Sequence, residues 1–222
     1  MIKAVFFDLD GTLLDTSKDL GGALNTVLEQ YGKPALPFDT IRPHVSNGAN
    51  ALVKLGFGED LHPDTHQTYR LNLLDAYLAD IASHTIAFAG IEALIEQCAA
   101  NDIAWGIVTN KPATYTDALM QHFEFASPPV AQISPDHVSR AKPDPEGLLI
   151  ACEMAKCKPS EALYVGDHER DIEAGRNADI ATVAVGYGFT PTTKCHLAWG
   201  ADYTVSSARE IWPIIARLNG LT

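Results

Sequence analysis

The 222-residue chain has no apolar run long enough to span a membrane, which excludes an integral membrane helix. Cysteine is scarce: Cys98, Cys152, Cys157 and Cys195 are all there is, none in a C-x-x-C pair or at metal-finger spacing. Reduced, mostly buried thiols are expected of them, as in the cytosol. Positive charge is also thin, with 16 Lys and Arg against 28 Asp and Glu, a net charge of -12. No Lys/Arg-rich run gathers a basic face, so neither nucleic acid nor a membrane surface is expected as a partner. Internal repeats and low-complexity segments are missing too. The start, Met1-Ile2-Lys3-Ala4-Val5-Phe6-Phe7-Asp8, turns acidic too soon for a signal peptide, and a cytoplasmic location is expected. Hydrophobic residues at 46% and charged residues at 20% suit a folded globular enzyme. An anionic ligand would have to be drawn by local features: a bound cation, a lysine, helix N-termini.

What is present is an alternation of short apolar runs and helical patterns. Ile2 to Phe7 reads as a fully buried parallel strand that stops abruptly at Asp8. The same design recurs at Ile103 to Val108, ending at Thr109, and at Ala162 to Val165, ending at Gly166-Asp167. Ala181 to Val185 and Tyr203 to Val205 are further strand candidates. Helical patterns lie at Gly90 to Ala100, Pro112 to Phe123, Pro145 to Lys156 and Glu169 to Ala178. The alternation predicts an α/β fold with a doubly wound parallel sheet. Ligands of such sheets bind outside the carboxyl ends of the strands, where Asp8, Thr109 and Asp167 fall.

Residues 16–83 differ, showing helical patterns and no strand. Leu20, Leu24, Val27, Leu28 and Tyr31 form one stripe, stopped by Gly32 and Pro34. Leu52, Val53 and Leu55 mark a short second helix, and Leu74, Tyr77, Leu78 and Ile81 a third. An all-helical block inserted after the first strand reads as a cap domain (16–83) over a core of residues 1–15 and 84–222. Its hinges are expected near Asp15-Thr16 and Ile86 to Gly90.

Asp8 and Asp10, two apart on a loop leaving a strand, suit one cavity and a hard cation such as Mg2+, with room left for phosphate. Asp8 would serve as ligand and nucleophile, and Asp10 as the group that protonates a leaving oxygen and then activates water. Gly11 permits a tight turn and Thr12 can hydrogen-bond the loop. The competing reading of Asp8-Leu9-Asp10-Gly11-Thr12 is an ordinary polar turn; the buried strand in front and helix behind favour the functional one. Thr109 and Asn110 before a helix suit a phosphate or equally an ordinary N-cap. Lys142, between Arg140-Ala141 and Pro143-Asp144-Pro145, suits a fixed point charge, or a solvated surface lysine. Asp167 is a further metal ligand, and Asp171, on the same side of the next helix, a buttress or a helix-dipole partner. His168 reads as a supporting loop residue.

The ordered set of D-x-D-G-T at Asp8–Thr12, T-N at Thr109-Asn110, K-P at Lys142-Pro143 and G-D-x-x-x-D at Gly166–Asp171 resembles the haloacid dehalogenase superfamily across nearly the whole chain. That resemblance implies a Rossmann-like core with a C1-type cap. It also implies Asp8 as nucleophile, Asp10 as general acid/base, Thr109 and Lys142 on the transferring phosphoryl group, and Mg2+ held by Asp8, the Asp10 carbonyl and Asp167. An acidic residue at Asp10 fits the phosphatases rather than the dehalogenases or phosphonate hydrolases. Val45-Ser46-Asn47-Gly48-Ala49 resembles the cap loop of the phosphoglycolate phosphatase-like group. More narrowly, Trp105 to Lys111, Ser134 to Pro145 and Gly166 to Asp171 resemble the N-acetylmuramic acid 6-phosphate phosphatases. Ala87-Phe88-Ala89-Gly90 departs from that pattern, which usually has proline before the glycine. Arg42, Ser46 and Asn47 are candidate substrate contacts from the cap, with Asn110 from the core; Arg42 equally suits the surface of a short helix. The expected activity is a Mg2+-dependent phosphatase on a small-molecule phosphate ester, the protein a monomer or weak homodimer. A β-phosphoglucomutase-like sugar phosphomutase and a non-enzymatic phospho-receiver module are the alternatives.

Overall fold

The structure is a computed structural model that describes residues 1–190 and 195–221. Its strands are β1 (Ala4–Phe7), β2 (Leu14–Asp15), β3 (Ile86–Ala87), β4 (Ala104–Val108), β5 (Gln132–Ile133), β6 (Ala162–Gly166), β7 (Ala181–Val185) and β8 (Tyr203–Val205). The α-helices are α1 (Ser17–Gln30), α2 (Phe38–Ile41), α3 (Gly48–Phe57), α4 (Pro63–Ala79), α5 (Ile91–Ala100), α6 (Ala113–Met120), α7 (Glu146–Met154), α8 (Glu169–Asn177) and α9 (Ile211–Asn219).

Six strands form one sheet in the order β5-β4-β1-β6-β7-β8. All its neighbours pair in parallel. β1 lies inside the sheet, with Ala4 opposite Ala104 on one side and Ala162 on the other. All four β1 residues are buried, as a strand covered on both faces requires. Its side chains alternate between the faces. Val5 and Phe7 join the core formed with α5 and α9 (Leu94, Ile95, Ile211, Ile215). Ala4 and Phe6 join the opposite core, with Leu148 and Ala151 of α7 and Ala174 of α8. The doubly wound α/β fold read from the sequence is therefore present, and no helix among the described residues is long and apolar enough to cross a membrane.

Some elements are not announced by the sequence pattern. β2, β3 and β5 have two residues each, too few for any periodicity. In α9, Trp212-Pro213 interrupts the pattern, but Pro213 sits in the first turn, where a missing N–H breaks no helical bond. The stripe expected on the third inserted helix also needs correction. Leu78 is 40% exposed and Ile81 lies beyond the end of α4. At the end of α1, Gly32 takes φ +68°, the left-handed conformation that ends helices.

Helices α1 to α4, with a 3-10 turn at Arg42–Asn47, lie between β2 and β3. They build a core of their own from Leu24, Val27, Leu28, Leu52, Val53 and Leu73. The chain enters and leaves this block through a pair of antiparallel residues, Leu14 opposite Ala87 and Asp15 opposite Ile86. Just beyond, the buried carboxylate of Asp19 accepts the His84 and Thr85 N–H groups, each at 2.9 Å, and the Thr85 hydroxyl at 2.6 Å. Arg42 makes a second tie. Its guanidinium donates to the carbonyls of Gly188 at 2.9 Å and Tyr187 at 3.2 Å, and lies 5.0 Å from the centre of the Phe189 ring.

Removing the Asp19 carboxylate strands two backbone donors and a hydroxyl at the joint. Asp19→Ala is expected to cost about 2–4 kcal/mol, read as a lower urea midpoint; an unchanged midpoint would contradict this role.

Candidate active site

Three adjacent strands deliver polar residues to one edge: β1 ends at Asp8, β4 at Thr109 and β6 at Asp167. Lys142 reaches the same place from the loop before α7. Its ammonium lies 3.0 Å from Asp8 Oδ1 and 2.7 Å from Asp171 Oδ1, and donates to the Tyr164 hydroxyl at 2.8 Å. Asn110 holds the lysine's backbone from both sides, with Nδ2 donating to the Lys142 carbonyl at 3.0 Å and Oδ1 accepting its N–H at 3.1 Å. Burial alone would raise the Asp8 carboxyl, but the Lys142 ammonium and the Arg170 guanidinium outweigh it and hold the carboxyl below its ordinary value. Asp8 Oδ1 also accepts the Leu9 N–H at 2.7 Å. Among the described residues, Oδ2 takes no protein hydrogen bond, so its lone pairs are free for a ligand.

Asp8, Asp167 and Asp171 each offer a carboxylate oxygen, and these atoms lie within 4.8 Å of one another. Asp171 is already engaged, since Oδ1 faces Lys142 and Oδ2 accepts the His168 N–H at 3.0 Å. Asp167 meets only neutral donors, the Thr12 and Ser46 hydroxyls and the Phe189 N–H, whereas Asp171 faces an ammonium, so Asp8 and Asp167 are the carboxylates that suit a cation. Asp167 is pushed up to about 7 by burial and by the carboxylates of Asp8 and Asp171. A divalent ion between them would relieve that repulsion. The donors are all oxygens, which suits a hard ion such as Mg2+. His168 is not among them. Burial, then Arg170, pushes it down to about 4, and its Nδ1 accepts the Arg170 N–H at 3.3 Å as the cap of α8. Gly11 allows Asp167 its place: it has φ +86°, and a Cβ there would fall 2.2 Å from Asp167 Oδ2. Thr12 Oγ1 donates to Asp167 Oδ1 at 3.3 Å.

Asp10 sits at a second pole. Its Oδ1 accepts the Thr16 hydroxyl at 2.7 Å and the Lys111 ammonium at 3.0 Å. Burial works against a charge on Lys111, but Asp10 and Tyr77 outweigh it and raise the ammonium above its ordinary value. Thr109 is buried, and its Oγ1 accepts the Lys111 N–H at 3.2 Å. From the inserted helices, Ser46 Oγ donates to Asp167 Oδ2 at 2.9 Å and Asn47 Oδ1 lies 3.2 Å from His168 Nε2.

A cavity of about 270 Å³ opens between the sheet edge and the helical block. Asp8, Asp10, Ser46, Asn47, Thr109 and Asn110 line it, so six of the residues singled out in the sequence meet there. Lys142, Asp167 and Asp171 stand behind Asp8. Arg42 is not among the lining residues and is spent on the carbonyls of Gly188 and Tyr187. Among the lining residues that the sequence reading does not select for the site are Lys111, Arg170, Arg70 and Tyr77. Arg170 had a legible signal, since it stands three residues after Asp167 on the opening turn of α8, where i and i+3 share a side. It donates to the Ser46 carbonyl, bridging block and core.

Comparison with known proteins shows the family of the chain. A family model described as haloacid dehalogenase-like hydrolase matches residues 5–185. An N-acetylmuramic acid 6-phosphate phosphatase of Pseudomonas putida is 39% identical, covering 96% of this chain and 96% of its own. A phosphoglycolate phosphatase of Xanthomonas campestris is 31% identical over 95% of each. The solved structure of a HAD-superfamily hydrolase, subfamily IA, from Geobacter sulfurreducens superposes with a TM-score of 0.75 at 23% identity, covering 96% of both chains; it shares the fold.

The proton on Asp167 makes cation binding pH-dependent. In the metal-free protein this carboxyl stays protonated up to about 7, and a ligand must be deprotonated, so each ion bound releases a proton. Apparent Mg2+ affinity is expected to fall about tenfold per pH unit below that point and to level off above it. Calorimetric titrations in buffers of different ionisation enthalpy read the released proton directly. An affinity that stays flat through the acidic range would contradict the assignment.

Proposed function

The chain belongs to the haloacid dehalogenase-like hydrolase family and is a phosphatase, and from that premise we propose that it hydrolyses N-acetylmuramic acid 6-phosphate through an aspartyl-phosphate on Asp8. The observation that carries this reading is the buried Asp8 carboxylate, paired with Lys142 through Oδ1 and open to the cavity, with Asp10 two residues on. Asp8 Oδ2 attacks phosphorus and the bond to the alcohol oxygen breaks. Asp10 delivers a proton to that oxygen, and the alcohol leaves. The Asp10 carboxylate then takes a proton from water, which attacks the same phosphorus; the bond to Asp8 breaks and inorganic phosphate departs. The proton that Asp10 gives to the alcohol is thus replaced from the attacking water.

Thr109 and Lys142 stabilise the transferring phosphoryl oxygens, work that is mainly positioning and charge. Asp8, the Asp10 carbonyl and Asp167 would hold Mg2+, which would supply charge neutralisation on those oxygens. Thr12 and Asp171 support Asp167 and Lys142. Residues 16–83 act as a C1-type cap over a core of 1–15 and 84–222, bringing Ser46 and Asn47 to the site, with Asn110 facing them. The relative at 39% identity supports the muramic ester as substrate; that at 31% supports phosphoglycolate, and both esters carry a carboxylate on the alcohol half. We place the enzyme in the cytoplasm, where its free thiols Cys98, Cys152 and Cys157 stay reduced.

Asp8→Asn is expected to lower Mg2+-dependent phosphate release by roughly 10,000-fold or more, while the folded protein keeps its melting temperature. Wild-type turnover by this variant would overturn the nucleophile. A screen of N-acetylmuramic acid 6-phosphate, phosphoglycolate, other sugar phosphates and pyrophosphate is expected to give the highest kcat/KM on the muramic ester. An isomerised sugar phosphate without free phosphate would point to a mutase, and stable phosphorylation of Asp8 without turnover to a receiver.

A further inference from the structure

Arg70, Leu74 and Tyr77 stand at i, i+4 and i+7 of α4, on one face of the helix, and all three line the cavity that holds Asp8 and Asp10. The cavity's other cations are already engaged. Lys111 is paired with Asp10, and Arg170 donates one nitrogen to the Ser46 carbonyl while its Nε is buried without a partner and its charge acts on Asp8; behind the wall, Lys142 is paired with Asp8 and Asp171. Arg70 is half-buried and, among the described residues, has no salt bridge or hydrogen bond, in a chain with 28 acidic side chains. Tyr77 is 2% exposed; its buried hydroxyl has the Lys111 ammonium, which can only donate, as its charged neighbour and no acceptor for its own proton. Its ring is fixed by Lys111, whose ammonium lies 4.5 Å from the ring centre, and by Tyr115 of α6 at 6.2 Å between ring centres. Buried polar groups are ordinarily paired, and two on one cavity-lining face leave a place for an acceptor.

We propose that Arg70 and Tyr77 form a specificity subsite for a carboxylate on the alcohol half of the substrate. This rests on the phosphatase reading and extends it to the leaving group. A guanidinium fork matches the two oxygens of a carboxylate, and the Tyr77 hydroxyl adds a donor. The phosphoryl group is taken up by Asp8, Thr109 and Lys142 on the sheet edge, so an anion that meets α4 belongs to the other end of the ester. A neutral sugar phosphate of the same size would leave both groups unanswered, which is how a polar subsite rejects an analogue lacking its partner.

The test compares N-acetylmuramic acid 6-phosphate with N-acetylglucosamine 6-phosphate, which lacks only the carboxylate-bearing lactyl ether. Arg70→Met is expected to lower kcat/KM on the muramic ester about 10- to 100-fold, mostly through KM, and to leave the glucosamine ester within about twofold. Arg70→Lys restores part of the loss, and Tyr77→Phe costs about 3- to 10-fold more on the muramic ester than on the glucosamine ester. An equal loss on both esters, or none on either, overturns the subsite. Failure of the phosphatase reading has its own signature, wild-type protein that releases phosphate from neither ester. In that event calorimetric binding of unphosphorylated N-acetylmuramic acid decides: the subsite stands if Arg70→Met abolishes it and falls if binding is absent or unchanged.

Discussion

Lys142 is 7% exposed, and its ammonium is shared by two buried carboxylates, Asp8 and Asp171. Taking these charges out of water is costly, and a pair of this kind adds little to stability compared with apolar packing. Its return is positional. With Oδ1 of Asp8 turned to the lysine and to the Leu9 N–H, the proposed nucleophile has one orientation and a free second oxygen. Most of the sheet edge serves this one charge. Tyr164 from β6 passes its hydroxyl between Lys142 and the Val108 carbonyl of β4, and Asn110 after β4 fixes the lysine's backbone. The order β4-β1-β6 is what lets these partners converge.

The opposite pole is organised around Asp10. It is tied on one side to Thr16, where the helical block begins, and on the other to Lys111 of the core. Lys111 in turn faces Tyr77 of α4. In the proposed mechanism the acid/base carboxylate therefore sits on the seam between core and block, the nucleophile belongs wholly to the sheet, and chemistry on the leaving oxygen shares its contacts with recognition of the leaving group.

Much of this was legible in the sequence because of how a parallel sheet is built. A strand buried on both faces is a continuous apolar run, and its sharp end at Asp8, Thr109 or Gly166-Asp167 marks the edge where polar side chains converge. The inserted helices were equally visible through the Leu20, Leu24, Val27 and Leu28 stripe. Other features had no such mark. Asn110 reads as a phosphate contact, yet both ends of its amide are committed to Lys142. Arg42 reads as a substrate contact, yet loop carbonyls distant in sequence take its guanidinium. Arg70 and Tyr77 look like the surface and core of an ordinary helix, because only the third dimension sets α4 against α6 and the sheet. Pairing of β2 with β3 escaped detection since two-residue strands have no period to read.

That small pairing has a consequence for how such a protein changes over generations. The two crossings between sheet and helices run side by side, Leu14 against Ala87 and Asp15 against Ile86, so the backbone of everything between them joins the core through one stem. Neither strand of that stem belongs to the six-stranded sheet, so an insertion, deletion or replacement within residues 16–83 touches none of the sheet's own strands. On the proposed function, descendants of one ancestral hydrolase would thus be free to exchange the part that judges the alcohol while inheriting unaltered the part that breaks the phosphate bond.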